Sequence, residues 1–176
     1  PTTKRLYNAP WMALMTLEMY KLTGDETYLD KMVRLLKVYY TIGGERFYPN
    51  GLSMFETVDA LRSAGKTEDA EEITELFRKH VTNIKNFGIN YPEHEVRYEQ
   101  TIVSPAAALN VEMYMITGEK EWLDEAEKHA GILERFNGRQ PSYLLNNLAL
   151  RHWDAFWFGK RRIFGDTFPH TASIHS

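Results

Sequence analysis

The chain of 176 residues has no cysteine, so disulfides and thiolate chemistry are excluded. It has no run of basic residues, and its formal net charge is −3, which argues against nucleic acid or an anionic membrane as a partner. No apolar stretch approaches the roughly 18 residues that a membrane-spanning helix needs. Phosphate-binding loops, dinucleotide fingerprints and Gly-x-Ser-x-Gly elbows are also missing. We therefore expect no nucleotide cofactor.

The first residue is Pro1 rather than Met, and no signal peptide follows it. We expect either a processed N-terminus or a section of a longer protein. The missing leader leaves the location open and slightly favours the cytoplasm. Apolar residues make up 43% of the chain, which is enough for one domain with a sizeable core.

Three segments repeat one plan, in which an apolar helix, a short turn with glycine and an amphipathic helix follow one another. They cover about residues 9–41, 52–87 and 105–136. The stretch Glu18-Met19-Tyr20 recurs 94 residues later as 112–114, and Thr23-Gly24 recurs as 117–118. A match of this length indicates a true internal repeat of helical hairpins.

The two helices of each hairpin differ in where their apolar residues lie. The second helices carry one apolar stripe and one charged face, which is typical of an outer layer. In the third hairpin the predicted stripe is Trp122, Leu123, Ala126, Ala130 and Leu133. The first helices of hairpins one and three are apolar nearly all round, so we expect neighbours on several sides of each. Together these patterns predict an all-α fold of antiparallel hairpins in two layers.

Two prolines, Pro10 and Pro105, are predicted to lie in the first turns of inner helices, where a missing N–H costs little. Asn8 and Ser104 precede them at positions typical of helix caps. Residues 142–151 are predicted as a further helix. Residues 137–176 otherwise break the repeat, and seven of the 28 residues from 143 to 170 are aromatic, interleaved with charges.

These hairpins, with a Thr-Gly-Asp/Glu turn and a Tyr/Trp-Leu-Asp opening of the outer helix, resemble the (α/α)-toroid, or six-hairpin, carbohydrate-active enzymes. Residues 98–105, 137–141, 151–162 and 165–170 are similar to the bacterial glycoside hydrolases and polysaccharide lyases of that superfamily. The resemblance implies a partial (α/α)6 toroid, because a full ring has about six hairpins and this chain has three and a part. It implies a single domain over 1–176 that is a section of a larger catalytic domain.

The favoured activity is hydrolysis of glycosidic bonds in an oligo- or polysaccharide, which needs two carboxyl groups flanking the bond. Asp154 is the first candidate because its aromatic neighbours would raise its pKa by desolvation. Asp166 and Glu99 are candidates for the second carboxyl group. Aromatic rings stack on pyranose faces while polar groups hold the hydroxyls. The residues expected to bind the substrate are therefore Tyr98, Asn146, Arg151, Trp153, Trp157, Arg161, Arg162 and His170.

A polysaccharide lyase acting on uronates is the first alternative. It needs a base such as His or Tyr and a group that neutralises the carboxylate. His152, His170 and Tyr98 are candidates for the base. Arg151, Arg139 and Asn146 are candidates for the neutralising group. A non-catalytic helical-repeat binding module is the second alternative.

The expected partner is a carbohydrate, with a second copy of the chain as a way of completing the ring of helices. His152 and Asp154 form a His-x-Asp pair, but without a third ligand at motif spacing we expect no metal site. His80 lies on the apolar stripe of its helix and is predicted to belong to the core, whereas His94 is predicted to lie at the surface.

The two-layer interpretation predicts that adding a charge to an inner helix and removing one from an outer helix have unequal effects on stability. Leu109→Asp should unfold the chain, because an unpaired charge among inner helices costs several kcal/mol. Glu127→Ala, on an outer charged face, should change the free energy of unfolding by less than about 0.5 kcal/mol. Urea denaturation of both variants tests this, and equal tolerance would contradict the assignment of layers.

Overall fold

The computed structural model describes residues 6–95, 100–134, 149–151 and 157–159. Six α-helices account for most of this part of the chain: α1 Ala9–Thr23, α2 Thr27–Thr41, α3 Met54–Ser63, α4 Thr67–Phe87, α5 Gln100–Thr117 and α6 Lys120–Leu133. Short 3-10 turns lie at Leu6–Asn8, Gly44–Arg46 and Gly88–Asn90. None of the helices in these ranges combines the length and the apolar character that crossing a bilayer requires.

The helices pack as three hairpins, α1 with α2, α3 with α4 and α5 with α6. The hairpins are held together because α3 contacts α5, while α4 contacts both α2 and α5. The predicted all-α class is confirmed, and the arrangement is that of a partial toroid of helical hairpins. Helices α1, α3 and α5 form its inner layer, and α2, α4 and α6 form the outer one.

The outer helices bury one stripe each, as their sequences predict. In α4 this stripe includes Ile73, Phe77, Val81 and Ile84, each at most 1% exposed. His80 lies on the same stripe and is fully buried, which confirms its assignment to the core. Since burying one such side chain contributes about 1.5–3 kcal/mol, this stripe alone anchors α4 firmly against the inner layer.

The stripe of α6 differs from its prediction. Ala130 is exposed, and Leu123 and Leu133 are only partly buried. The buried residues are instead Trp122, Glu125, Ala126, His129 and Ile132. A pattern of apolar residues alone missed this face because two of its five members are polar and find partners inside the structure.

The internal repeat is visible in the turns between helices α1 and α2 and between α5 and α6. Gly24 and Gly118 adopt left-handed φ angles of 70° and 73°, and each N–H donates to the carbonyl four residues earlier. The hydroxyls of Thr23 and Thr117 also donate to the carbonyls four residues earlier, over 2.7 and 2.9 Å. Each hydroxyl accepts the amide two residues later over 3.2 Å. The repeated letters therefore encode the same hydrogen-bonded turn.

Helix α5 begins five residues earlier than predicted, so Pro105 and Ser104 lie inside it rather than at its start. A proline inside a helix leaves the carbonyl four residues earlier without its N–H donor. Here that carbonyl belongs to Thr101, and Asn50 Nδ2 donates to it over 3.4 Å. The loop before α3 thus replaces the helical bond that Pro105 cannot make.

Two further expectations about helix ends are wrong. Asn8 precedes α1 with helical backbone angles and makes no capping hydrogen bond through its side chain. The helix predicted over 142–151 is contradicted at its end, where Ala149–Arg151 is a strand, β1. It pairs antiparallel with a second strand, β2 at Trp157–Gly159. The aromatic residues of β2, Trp157 and Phe158, are of a type that favours strands.

One face of each terminal inner helix is open in the described part of the chain. On α1 the exposed side chains include Trp11, Met12 and Met15, and on α5 they include Val111 and Met115. The sequence predicts neighbours on several sides of these helices, and the structure provides them on all but this face. Exposed apolar residues aligned along a helix are typical of a surface that another element or a ligand covers.

Two glycines without close neighbours provide a matched stability test. A Cβ at Gly118 or at Gly131 would meet nothing within 4 Å, but only Gly118 has a positive φ. Gly118→Ala should lower the free energy of unfolding by roughly 1–2 kcal/mol, because alanine is strained in the left-handed region. Gly131→Ala, inside α6, should raise it by about 0.5–1 kcal/mol.

Urea denaturation of both alanine variants measures these changes. Destabilisation by Gly131→Ala would show that the open space over α6 is occupied in solution.

Candidate functional site

Long loops lie at one end of the hairpins and short glycine turns at the other. The loop of residues 42–53 precedes α3, and the loop that begins at Gly88 precedes α5. The two loops contact each other, since the rings of Tyr48 and Tyr91 lie 5.9 Å apart at an interplanar angle of 67°. His94, exposed as predicted, places its Nε2 2.8 Å from the carbonyl of Arg46. This end of the inner layer is therefore formed by two loops that pack against each other, whereas the other end has tight turns.

A buried pair of side chains, Tyr40 and His80, supports the loop of residues 42–53. His80 Nε2 donates to the carbonyl of Phe47 over 2.7 Å, which leaves Nδ1 to accept from the hydroxyl of Tyr40 at 3.4 Å. Burial lowers the pKa of His80 to about 4, so the ring is neutral at physiological pH. His80 therefore positions the loop. Its two hydrogen bonds select the tautomer with the proton on Nε2.

A second pair of the same kind supports the loop before α5. The hydroxyl of Tyr91 lies 3.0 Å from Nδ1 of His129, and both side chains are buried. Burial lowers the pKa of His129 to about 4, against the opposing effect of Glu125, whose carboxyl oxygen lies 3.8 Å from Nε2. His129 carried no signal in the sequence. A histidine one turn after a buried acid and opposite a loop tyrosine is recognised only once the hairpins are packed.

Two further tyrosines have buried hydroxyls, Tyr39 in α2 and Tyr48 in the loop before α3. Tyr39 and Tyr48 are 1% and 2% exposed, and burial raises the pKa of both well above the ordinary value, with Glu95 adding to the effect. A tyrosine that removes a proton from a substrate has to lose its own proton first. These two therefore stay neutral and do not supply a base at neutral pH.

A carboxyl group of the inner layer lies between two helices. Glu112 Oε2 on α5 accepts the backbone N–H groups of Met54 and of Phe55, the latter over 3.0 Å. Ser53, at the cap position of α3, makes no capping hydrogen bond through its side chain. Glu112 takes that role from the neighbouring helix. Burial raises the pKa of Glu112 to about 7, and the two amide groups oppose that rise.

Beside Glu112 lies a small pocket of about 160 Å³. Its walls belong to α5 and to the loop before α3, and are formed by Pro49, Asn50, Gly51, Leu52, Ser53, Ser104, Pro105, Ala108, Leu109 and Glu112. Apolar walls with a few convergent polar groups are typical of ligand sites. Glu112 was not among the residues selected from the sequence. Its position as an acid inside an apolar inner helix, equivalent to Glu18 in the repeat, could have identified it.

Most residues selected from the sequence lie outside the described part of the chain. These are Tyr98, Glu99, Arg139, Asn146, His152, Trp153, Asp154, Arg161, Arg162, Asp166 and His170. Two candidates fall on the strands, where Arg151 of β1 is the backbone partner of Trp157 of β2. The strand ladder therefore brings these two positions together.

Comparison with known proteins gives one informative similarity. No protein-family profile matches the sequence, and no curated protein sequence matches it. Among solved structures, a polysaccharide lyase is 40% identical to this chain, with a TM-score of 0.79 over 98% of its residues. The match covers 26% of that enzyme, so the chain spans about a quarter of its length.

The environment of Glu112 predicts a specific pH dependence. Because its pKa rises from 4.5 to about 7 on folding, the protonated form stabilises the fold, and that contribution is lost as the pH rises from about 4.5 to 7. The free energy of unfolding of the natural protein, relative to Glu112→Gln, should therefore fall by up to about 3 kcal/mol over this range. Urea denaturation from pH 4.5 to 8 measures the difference.

The comparison with Gln cancels the titration of the histidines, which is common to both proteins. A difference that stays constant with pH would mean that Glu112 remains ionised and that the amide groups outweigh burial.

Proposed function

We propose that this chain is a section of a polysaccharide lyase of the (α/α)-toroid superfamily, which cleaves a uronate-containing glycan by β-elimination. The observation that carries the proposal is the 40% identity to a polysaccharide lyase over 98% of the chain. Identity at this level over the whole segment goes beyond a shared hairpin fold, which by itself would specify no reaction.

The lyase reaction requires three groups around the uronate ring. A base removes the proton from C5, beside the carboxylate, and a cation or amide stabilises the charge that develops there. The electron pair left on C5 forms a C4=C5 double bond as the bond from C4 to the glycosidic oxygen breaks. A proton then reaches the departing oxygen. One of the two products therefore carries an unsaturated sugar at its new non-reducing end.

The sequence offers candidates for two of these groups, the base and the group that neutralises the carboxylate. His152, His170 and Tyr98 are proposed as the base, and Arg151, Arg139 and Asn146 as the group that neutralises the carboxylate. Arg161 and Arg162 are suited to bidentate contacts with further acidic sugars. The strand pairing supports a common location for Arg151 and the aromatic residue Trp157, because their backbones are partners in the ladder.

Hydrolysis, the reaction favoured by the sequence analysis, becomes the second candidate. It would use Asp154 with Asp166 or Glu99 as the pair of carboxyl groups. The similarity to a lyase lowers its standing. A binding module without catalysis is the third candidate and would retain glycan affinity without turnover.

The complete site requires more protein than the described hairpins. Because the chain spans about a quarter of the lyase it resembles, the activity is proposed for the whole natural protein. The open face of α5, with Val111 and Met115, supports this, because further helices would cover it in a closed ring. A second copy of this chain is the alternative way to cover it.

The two reactions are separated by their products. The natural full-length protein, incubated with uronate-containing polysaccharides, should generate ultraviolet absorbance from the C4=C5 double bond together with new reducing ends. His152→Ala should lower the rate by about 10²–10⁴-fold if it supplies the base, whereas Asp154→Asn should retain most activity.

His94→Ala, at an exposed loop position, serves as the control for replacing a histidine. New reducing ends without ultraviolet absorbance, together with loss of activity in Asp154→Asn, would establish hydrolysis instead.

A further inference from the structure

Trp11 is an exposed aromatic residue in the first turn of the inner helix α1. Its side chain is 60% exposed, although tryptophan is on average one of the more buried residues. The indole lies against the loop before α3: a Cβ added at Gly51 would come within 2.9 Å of Cδ1 and 3.1 Å of Nε1. Gly51 has a φ of +76°, so both its backbone angle and its missing side chain are needed here. The ring is supported on one side and open to solvent on the other.

The pocket beside Glu112 lies next to this ring. Gly51 supports Trp11 and also forms part of the pocket wall, so the indole and the pocket share a boundary. The pocket holds about 160 Å³, well below the roughly 300–1,000 Å³ of typical small-molecule sites. It therefore suits a single sugar ring or a substituent of one.

The polar groups around the pocket favour a ligand with hydroxyl or amide groups. Asn50, Ser53 and Ser104 lie in its wall, and Glu112 supplies the carboxyl group at its side. The hydrogen bonds that Glu112 accepts from the backbone of α3 both reach Oε2. Of the described residues that line the pocket, none is arginine or lysine. A uronate carboxylate would find no cation here, whereas an uncharged ring would find acceptors for its hydroxyls.

We propose that Trp11 and the pocket beside Glu112 form a subsite for an uncharged pyranose ring of the glycan, a proposal that rests on the proposed function. Stacking on the indole supplies affinity, and the polar wall orients the ring. All the elements involved belong to the inner layer and to the loop that leads into α3. The uncharged ring would be the neighbour of a uronate in an alternating polymer.

The test measures binding without turnover, by titration calorimetry on the natural full-length protein. The probes are oligosaccharides of hyaluronan and of unsulfated chondroitin, in which a uronate alternates with an uncharged N-acetylhexosamine, and of polygalacturonate, in which every ring is charged. Trp11→Ala should weaken binding of an alternating oligosaccharide by about tenfold or more, while Trp11→Phe should retain most of the affinity.

Glu112→Gln provides a second variant that keeps an oxygen for the amide groups of α3. It should weaken binding of the alternating oligosaccharide by several-fold, with the melting temperature showing that the fold is intact. Polygalacturonate binding should change little in either variant.

Three outcomes would overturn the proposal. Unchanged affinity in Trp11→Ala would remove the indole from the subsite. A fall in melting temperature without a change in affinity would show that Trp11 is covered by another part of the protein. Absence of binding to every alternating probe by the natural protein would also reject it.

The subsite and the proposed function fail in different ways. Formation of the unsaturated product with normal affinity in Trp11→Ala would leave the lyase standing and reject the subsite. Affinity that depends on Trp11, without unsaturated product, would do the reverse.

Discussion

The contact between Glu112 and the start of α3 sets how the inner helices meet. A helix N-terminus buried against a neighbour needs acceptors for its first amide groups, and water is not available to all of them. Glu112 supplies the acceptor from α5, while Asn50, in the loop that leads into α3, donates to the carbonyl that Pro105 leaves open. In both contacts the donor lies in α3 or in the loop before it, and the acceptor lies on α5. These contacts fix the position of α3 along the axis of α5, and with it the position of the pocket between α5 and the loop before α3.

Much of the fold follows from local rules that the sequence displays. The Thr-Gly turns at 23–24 and 117–118 require a left-handed residue after a helix, and glycine supplies it without strain. Apolar stripes predicted α2 and α4 well, because most of the side chains on their buried faces are apolar or aromatic. The same method misplaced the buried face of α6, where His129 and Glu125 point inwards. It also placed the start of α5 too late, because a proline was taken to mark the first turn although a loop side chain compensates for it inside the helix.

The candidate site was less predictable from the sequence than the fold. Aromatic and charged composition directed attention to residues 137–170, and most of that segment lies outside the described ranges. Within them, the notable groups are Glu112, Trp11 and the tyrosine-histidine pairs, and each owes its character to a partner distant in sequence. Glu112 and Glu18 show this clearly. They occupy equivalent positions of the repeat, yet Glu18 is exposed and pairs with Lys21, while Glu112 is largely buried beside α3.

The two neutral histidines and the buried carboxyl group have a consequence for protons exchanged on folding. Between about pH 4.5 and 6.5, His80 and His129 each give up a proton as the chain folds, whereas Glu112 takes one up. From these three groups, folding in this range therefore releases about one proton net rather than two. Proton uptake by Glu112 in the inner layer partly offsets proton release by His80 and His129 in the outer layer. Mild acidification consequently weakens this fold less than its buried histidines alone would dictate.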